Sequence, residues 1–196
     1  MSRLLGNPAH QCYVYPNFDK ALEKFAAAGI GPFFVFDGVG VMCHYRSEQH
    51  PFTSRVAFVY SGNSCIEIIT PNVGGRSPYD EFLSRNPHGG LHHIAYYSDD
   101  FDATLAMMEK AGKPLRTVVE MRDPASGIQI EIYCEPVGVE DPVSYQLMRP
   151  GPIDSWFAAI HKAAAEWDGT DPIRDARPLM MAALEAAASP VPKHPQ

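Results

Sequence analysis

The stretch "HIAYYSDDFDATLAMMEKAGKPL", residues 93–115, has a partner earlier in the chain, and the pair decides the fold. "HQCYVYPNFDKALEKFAAAGIGP", residues 10–32, aligns with it without gaps at one offset, 93 − 10 = 83. His10/His93, Tyr13/Tyr96, Phe18/Phe101, Asp19/Asp102, Leu22/Leu105, Ala28/Ala111 and Gly29/Gly112 coincide, and Phe25/Met108 keeps an apolar residue. Asn17/Asp100 keeps a side chain able to accept from the free N–H groups that open a helix. Each copy therefore reads as strand, cap, helix and closing glycine. Leu22, Phe25 and Gly29 fall at helical spacing, as do Leu105, Met108 and Gly112.

The repeat also separates two adjacent histidines. On a regular strand, His92 and His93 of "LHHIAYY" face opposite sides. His93 has His10 as its repeat partner, whereas His92 falls opposite Ala9. The sequence thus selects His93 for chemistry and places His92 on the other face with Ile94 and Tyr96.

Each copy continues to an Ile-Glu-Ile strand, "CIEIITP" at 65–71 and "QIEIYCEP" at 129–136. A glutamate between isoleucines points away from the face that the isoleucines use. Glu67 and Glu131 are therefore carboxylates set beside apolar neighbours, a costly arrangement unless they are paired or bound to a metal. Few basic residues lie near either one in sequence. Each half is expected to supply one histidine on its first strand and one glutamate on its last. Two neutral imidazoles and two carboxylates suit a divalent ion, and the nitrogen and oxygen donors suit Zn, Ni, Co, Mn or Fe(II). Six-coordination would leave two neighbouring positions for substrate oxygens. The candidate ligands are His10, Glu67, His93 and Glu131, with Glu131 or Glu67 also the candidate catalytic base.

The connecting segments are read more coarsely. Strands are expected at about 32–36, 55–60 and 115–121, with 37–54 a loop-like insertion. "NVGGR" and "DPASG" read as turns. Ser77-Pro78 looks like a cap and first helical residue, with Asp80 completing a capping box. Beyond 148, Trp156, Phe157, Ile160, Ala164 and Trp167 form one face of a helix from about Ile153. A second short helix is expected through "PLMMAALEAAA", and the final "SPVPKHPQ" reads as disordered.

The formal net charge of −7 argues against a nucleic-acid or anionic-membrane surface. No signal peptide is recognisable, and no run approaches the ~20 apolar residues that span a bilayer. A cytoplasmic protein is expected. Cys12, Cys43, Cys65 and Cys134 lack the paired spacing of a zinc knuckle or redox motif and read as free, buried thiols.

These residues resemble the vicinal oxygen chelate superfamily, which includes glyoxalase I, methylmalonyl-CoA epimerase, bleomycin-resistance proteins and extradiol dioxygenases. The likeness covers about residues 6–136 and rests on "AHQCYVYPNFDKALEKF", "IEIITP", "GGLHHIAYYSDDFDATLAMMEKAG" and "SGIQIEIYCEP". It is strongest toward the epimerase and its glyoxalase-like relatives. The resemblance implies an α+β fold of two βαβββ modules, about 6–71 and 89–136, in a U-shaped, barrel-like sheet around a divalent metal. Residues 148–196 form a C-terminal helical extension. It also implies His10, Glu67, His93 and Glu131 as metal ligands and a homodimer. The epimerase's further catalytic carboxylate, on the third strand of the first module, has no acid to match it in "SRVAFVYSG".

The expected activity is that of a metal-dependent isomerase, epimerase or lyase. It would chelate two oxygens of a small acyl or α-oxo substrate, a CoA thioester among the candidates, and stabilise an enolate during proton transfer. The alternatives are an Fe(II) ring-cleaving dioxygenase using His10, His93 and Glu131, and a non-enzymatic small-molecule binder.

Overall fold

The computed structural model describes residues 2–72, 76–123, 126–151 and 153–188. After a short helix α1 (Ser2–Leu5), the first module runs β1 (His10–Val14), α2 (Phe18–Ala27), β2 (Phe33–Tyr45), β3 (Glu48–Ser61) and β4 (Ser64–Pro71). Helix α3 (Pro78–Arg85) links it to β5 (Gly90–Tyr97), α4 (Phe101–Lys110), β6 (Leu115–Arg122), β7 (Gln129–Pro136) and β8 (Ser144–Met148). The chain ends with α5 (Ile153–Ala165), β9 (Ile173–Asp175) and α6 (Arg177–Ala188).

Both repeated helices start as the sequence dictates. Asn17 accepts from the Lys20 N–H at 3.0 Å and Asp100 from that of Ala103 at 2.9 Å. Past each helix, Gly29 and Gly112 take φ of 81° and 71°, values that suit glycine. Ser77 and Asp80 form the expected capping box on α3.

The strands form one sheet in the order β3-β4-β1-β5-β8-β7-β6-β2-β9, and β2 also pairs with β3. β1 and β5 meet antiparallel where the two modules join, each flanked by the last strand of its own module, β4 and β8, in parallel. Cys43–Tyr45 of β2 reaches Val119–Met121 of β6, joining the modules on the far side. The result is the U-shaped, barrel-like sheet of two βαβββ modules. Helix α2 packs Phe18, Ala21 and Leu22 on the outside of the first module against Val35, Val59 and Ile68. Helix α4 packs Phe101 against Ile132 and Leu147 of the second. The third cluster lies inside and takes Trp156, Phe157 and Ile160 from α5.

Four expectations are corrected. The loop-like stretch 37–54 is mostly strand, since β2 and β3 pair from Phe34↔Phe58 out to Tyr45↔Glu48. The hairpin partner satisfies its backbone groups, which outweighs the poor strand propensity of its glycines. Arg46 and Ser47, with φ of 49° and 69°, make the tight turn. Second, the module boundary at 136 stops short of β8, which fills the gap between β5 and β7. Third, α5 ends before Trp167. That indole instead lies over Gly31, where a Cβ would come within 2.6 Å of the ring.

The fourth concerns His92. The β1–β5 register runs Cys12↔His93 and then Tyr13↔Leu91, so His92 sits in a bulge. Strict alternation fails there, and its ring turns toward that of His93. Residues 73–75 of the "NVGGR" turn, 124–125 of "DPASG" and the tail 189–196 lie outside the described residues. Among the described residues no helix is long and apolar enough to cross a membrane.

Candidate metal centre

His10 opens β1, His93 sits mid-β5 and Glu67 lies on β4 beside β1. All three are buried: His10 4%, Glu67 7% and His93 0% exposed. A donor atom from each lies within 4.8 Å of the others. Glu67 Oε2 stands 3.2 Å from His10 Nε2 and 3.4 Å from His93 Nε2. None of these three atoms makes an aligned hydrogen bond. Such unpaired buried donors and acceptors are rare in folded proteins. Their type, spacing and convergence fit a divalent cation held by two imidazoles and a carboxylate.

The structure does not gather Glu131 into this group. The two Ile-Glu-Ile segments look alike, but β7 is the third strand of its module, not the last. The topological counterpart of Glu67 is Gln146. Cys12 pairs with Glu67 in the β1–β4 ladder, and its repeat partner Ala95 pairs with Gln146 in the β5–β8 ladder. The sequence holds the signal in "CIEIITP" at 65–71 against "SYQLMRP" at 144–150. Both alternate small or polar with apolar residues, carry Glu or Gln third, and end in proline. Gln146 is 5% exposed, and its Oε1 is a fourth buried atom without a partner.

Glu131 is nevertheless part of the site. Its Oε2 accepts from Gln146 Nε2 at 2.7 Å, and its side chain lines the same cavity as His10, Glu67 and Gln146. Ile66 and Ile68 pack outward onto α2, and Ile132 packs with Phe101 of α4, as the strand alternation requires.

The charges are arranged unevenly. Burial pushes the Glu67 carboxyl up, but His10 and His93 outweigh that and hold it well below the usual carboxylate range. Burial pushes the Glu131 carboxyl up to about 7, and the charge on Glu67 adds to the shift. Burial lowers His92 well below the ordinary imidazole value and the adjacent His93 adds to that, while burial lowers His93 against the opposing pull of Glu67.

Behind the cluster, His92 Nδ1 lies 2.9 Å from His93 Nδ1. That bond leaves His93 Nε2 directed at Glu67, the orienting role that supporting groups play around metal-binding imidazoles. The Tyr79 and Tyr133 hydroxyls meet at 2.8 Å, and the Tyr133 ring lies 4.9 Å from that of His93. Alternation alone hid His92, because a bulge is not visible in hydrophobic pattern.

The cavity facing the cluster has a volume of about 380 Å³. Its walls carry Phe36, Phe58, Met121 and Met148, and α5 closes it with Trp156 and Phe157.

The chain is 31% identical over 96 residues to methylmalonyl-CoA epimerase, mitochondrial, of Dictyostelium discoideum, covering 49% of this chain and 51% of that protein. It is 30% identical over 117 residues to the Mus musculus enzyme of the same name, covering 58% and 57%. The chain thus spans about half the length of these curated relatives. A crystal structure of methylmalonyl-CoA epimerase from Mycobacterium tuberculosis superposes with a TM-score of 0.48 at 18% identity, covering 76% of this chain and 91% of that one. Residues 9–133, more than half of the chain, match the family described as Glyoxalase/Bleomycin resistance protein/Dioxygenase superfamily, and the chain belongs to that superfamily.

Proposed function

We propose that this chain is a divalent-metal-dependent isomerase of the epimerase type, moving a proton at a carbon next to a carbonyl. The carrying observation is the convergence of the buried atoms His10 Nε2, His93 Nε2 and Glu67 Oε2, which make no aligned hydrogen bond, beside a cavity lined by His10, Glu67 and Gln146, whose Oε1 also lacks a hydrogen-bond partner. In this reading His10, Glu67 and His93 hold the metal, with Gln146 as the fourth ligand. Bound there, a divalent ion supplies Lewis-acid stabilisation of negative charge on substrate oxygens.

Glu131 takes the role of base. Its carboxylate faces the cavity, stands outside the ligand group, and is oriented by the Gln146 amide. It accepts the proton from the carbon while the C–H electron pair moves toward the carbonyl oxygen, giving an enolate. The enolate is planar at that carbon, and once it has turned in the cavity the same carboxyl returns the proton to the opposite face, which inverts the centre. Glu67, pinned between two imidazoles, is left to bind rather than to move protons. The curated relatives named as epimerases support this class of reaction.

The test is deuterium wash-in followed by NMR, with methylmalonyl-CoA and 4-methyl-2-oxopentanoate as probes in D2O. Incorporation next to the carbonyl of either probe, lost in Glu131→Gln, is the expected result. No incorporation into either probe overturns the reading. One observation favours a second reading: two histidines and one carboxylate also form the set used by non-haem Fe(II) oxygenases. Bound iron with substrate-dependent oxygen consumption would select it.

A further inference from the structure

We infer that the Phe157 ring is the gate of the metal-facing cavity. It closes a passage that leads from an outer groove to His10, and it opens by turning into that groove. The inference rests on the proposed reading of the cavity as the place where chemistry occurs.

The first observation is the place of Phe157 on α5. Ile153, Trp156, Phe157 and Ile160 fall at i, i+3, i+4 and i+7 and form the inward stripe of the helix. Asp154, Phe157, Ala158 and His161 repeat that spacing on the neighbouring stripe. With Tyr60 and Tyr97 they line an outer groove of about 440 Å³. Among the described residues, Phe157 alone belongs to both stripes and lines both the groove and the cavity. It is 5% exposed, and its ring lies 6.0 Å from that of His10. The thickness of one side chain thus separates the groove from the cluster.

The second is the room to move. Phe157 meets the rings of Phe58 at 5.3 Å, Trp156 at 5.2 Å and His10 at 6.0 Å, all three of which line the cavity. The open space of the groove is on its other side. A packed ring changes rotamer only where space can receive it. Trp156 has less freedom, because Phe36 and Phe58 also hold it edge-on at 4.8 and 5.0 Å.

The third is that the helix is fastened at both ends. At its start Asp154 accepts from the Tyr97 hydroxyl at 2.6 Å and the Gly151 N–H at 3.1 Å. Beyond its end, the Trp167 indole donates to the Thr170 carbonyl at 2.6 Å, and β9 pairs with Phe33–Val35 of β2. Swinging the helix would break these ties, whereas turning one side chain breaks none of them. The cavity shares Phe36 with another hollow, which makes Phe36 the competing route.

Histidine labelling by diethyl pyrocarbonate, read by mass spectrometry on the full chain stripped of metal, tests this. Exposed His88 is the reference, and His93, 0% exposed, reports on loosening of the fold. Phe157→Ala is expected to speed labelling of His10 at least about tenfold relative to His88, because opening no longer breaks three ring contacts. Phe157→Trp is expected to slow it at least about threefold, because a larger ring finds less room. Phe36→Ala should leave it unchanged, and His93 should stay protected throughout.

An unmoved His10 rate in Phe157→Ala, faster labelling in Phe157→Trp, or a greater acceleration in Phe36→Ala than in Phe157→Ala would each overturn the inference. Should Phe157→Ala fail to fold or expose His93, the Phe157→Trp rate decides, and labelling no slower than wild type overturns the gate. The labelling uses neither substrate nor metal. Wild-type protein that shows these rates without any deuterium exchange would therefore remove the proposed reaction and leave the gate standing.

Discussion

Gln146→Leu separates the roles assigned around the cluster, because the two ends of the amide act in opposite directions on stability. Its Nε2 donates to Glu131 at 2.7 Å, a bond to an ionisable group worth about 1.5–3 kcal/mol. Its Oε1 is buried with no partner, which costs about 1–3 kcal/mol. Leucine has nearly the same volume and suits neighbours such as Met148 and Tyr133. Losing one contribution and relieving the other leaves the metal-free protein within about 2 kcal/mol of wild type. For a chain of this size that is a shift of at most about 4–8 °C in Tm. Metal affinity behaves differently. Even groups that only support metal ligands cost about 10–100-fold when mutated, and a direct ligand costs at least that. The assay is thermal unfolding of stripped protein together with metal titration, run beside Glu131→Gln. The expected pattern is near-wild-type Tm with metal affinity down at least about tenfold in Gln146→Leu. In Glu131→Gln, whose amide oxygen still accepts from Gln146, metal affinity is retained and deuterium exchange is lost. Unchanged metal affinity in Gln146→Leu, or its loss in Glu131→Gln, refutes the reasoning and returns Glu131 to the ligand set.

Three further outcomes follow from the fold. Gly89 has φ of 77°, and a Cβ there would stand 2.4 Å from the Val14 carbonyl oxygen, so Gly89→Ala should lose more than about 2 kcal/mol in urea unfolding. A loss under about 1 kcal/mol would show that the β1–β5 end is not tightly fixed. Asp100→Ala should cost about 1 kcal/mol by the same assay, because it frees the capped Ala103 N–H, and no loss would argue against the cap. The Glu81 carboxyl is lowered: burial opposes the shift, but Tyr45 and Arg46 hydrogen bonds outweigh it. A lowered carboxyl stabilises the fold above its unfolded value of about 4.3 and loses that contribution as pH falls through the folded value. The stability gap between wild type and Glu81→Gln should therefore be present at pH 7 and shrink below about pH 4; a gap independent of pH would contradict the assignment.

Much of this was legible because the chain repeats itself. The matches at offset 83 place His10 and His93 on equivalent strands, and Asn17 and Asp100 at the start of equivalent helices, where the structure has them. Glu67 was reached by its flanking isoleucines, which do pack outward. The same pattern misled at Glu131, because an inward carboxylate on the third strand of a module looks identical to one on the last when strand order is unknown. Gln146 was hidden by the unnoticed strand β8, whose five residues follow a turn-rich segment. The role of His92 depends on a bulge, and bulges leave no periodic trace. The long β2–β3 hairpin escaped because its backbone is satisfied by pairing partners distant in sequence, which local propensity does not register.

The proposed reading stands on a divalent metal held by His10, Glu67 and His93. Anomalous diffraction from crystals of the metal-loaded protein tests it most directly, because it locates the ion rather than counting it. One strong peak is expected within about 2.0–2.2 Å of His10 Nε2, His93 Nε2 and a Glu67 oxygen, absent from His93→Ala crystals. A peak elsewhere, or none in loaded wild-type crystals, would contradict it.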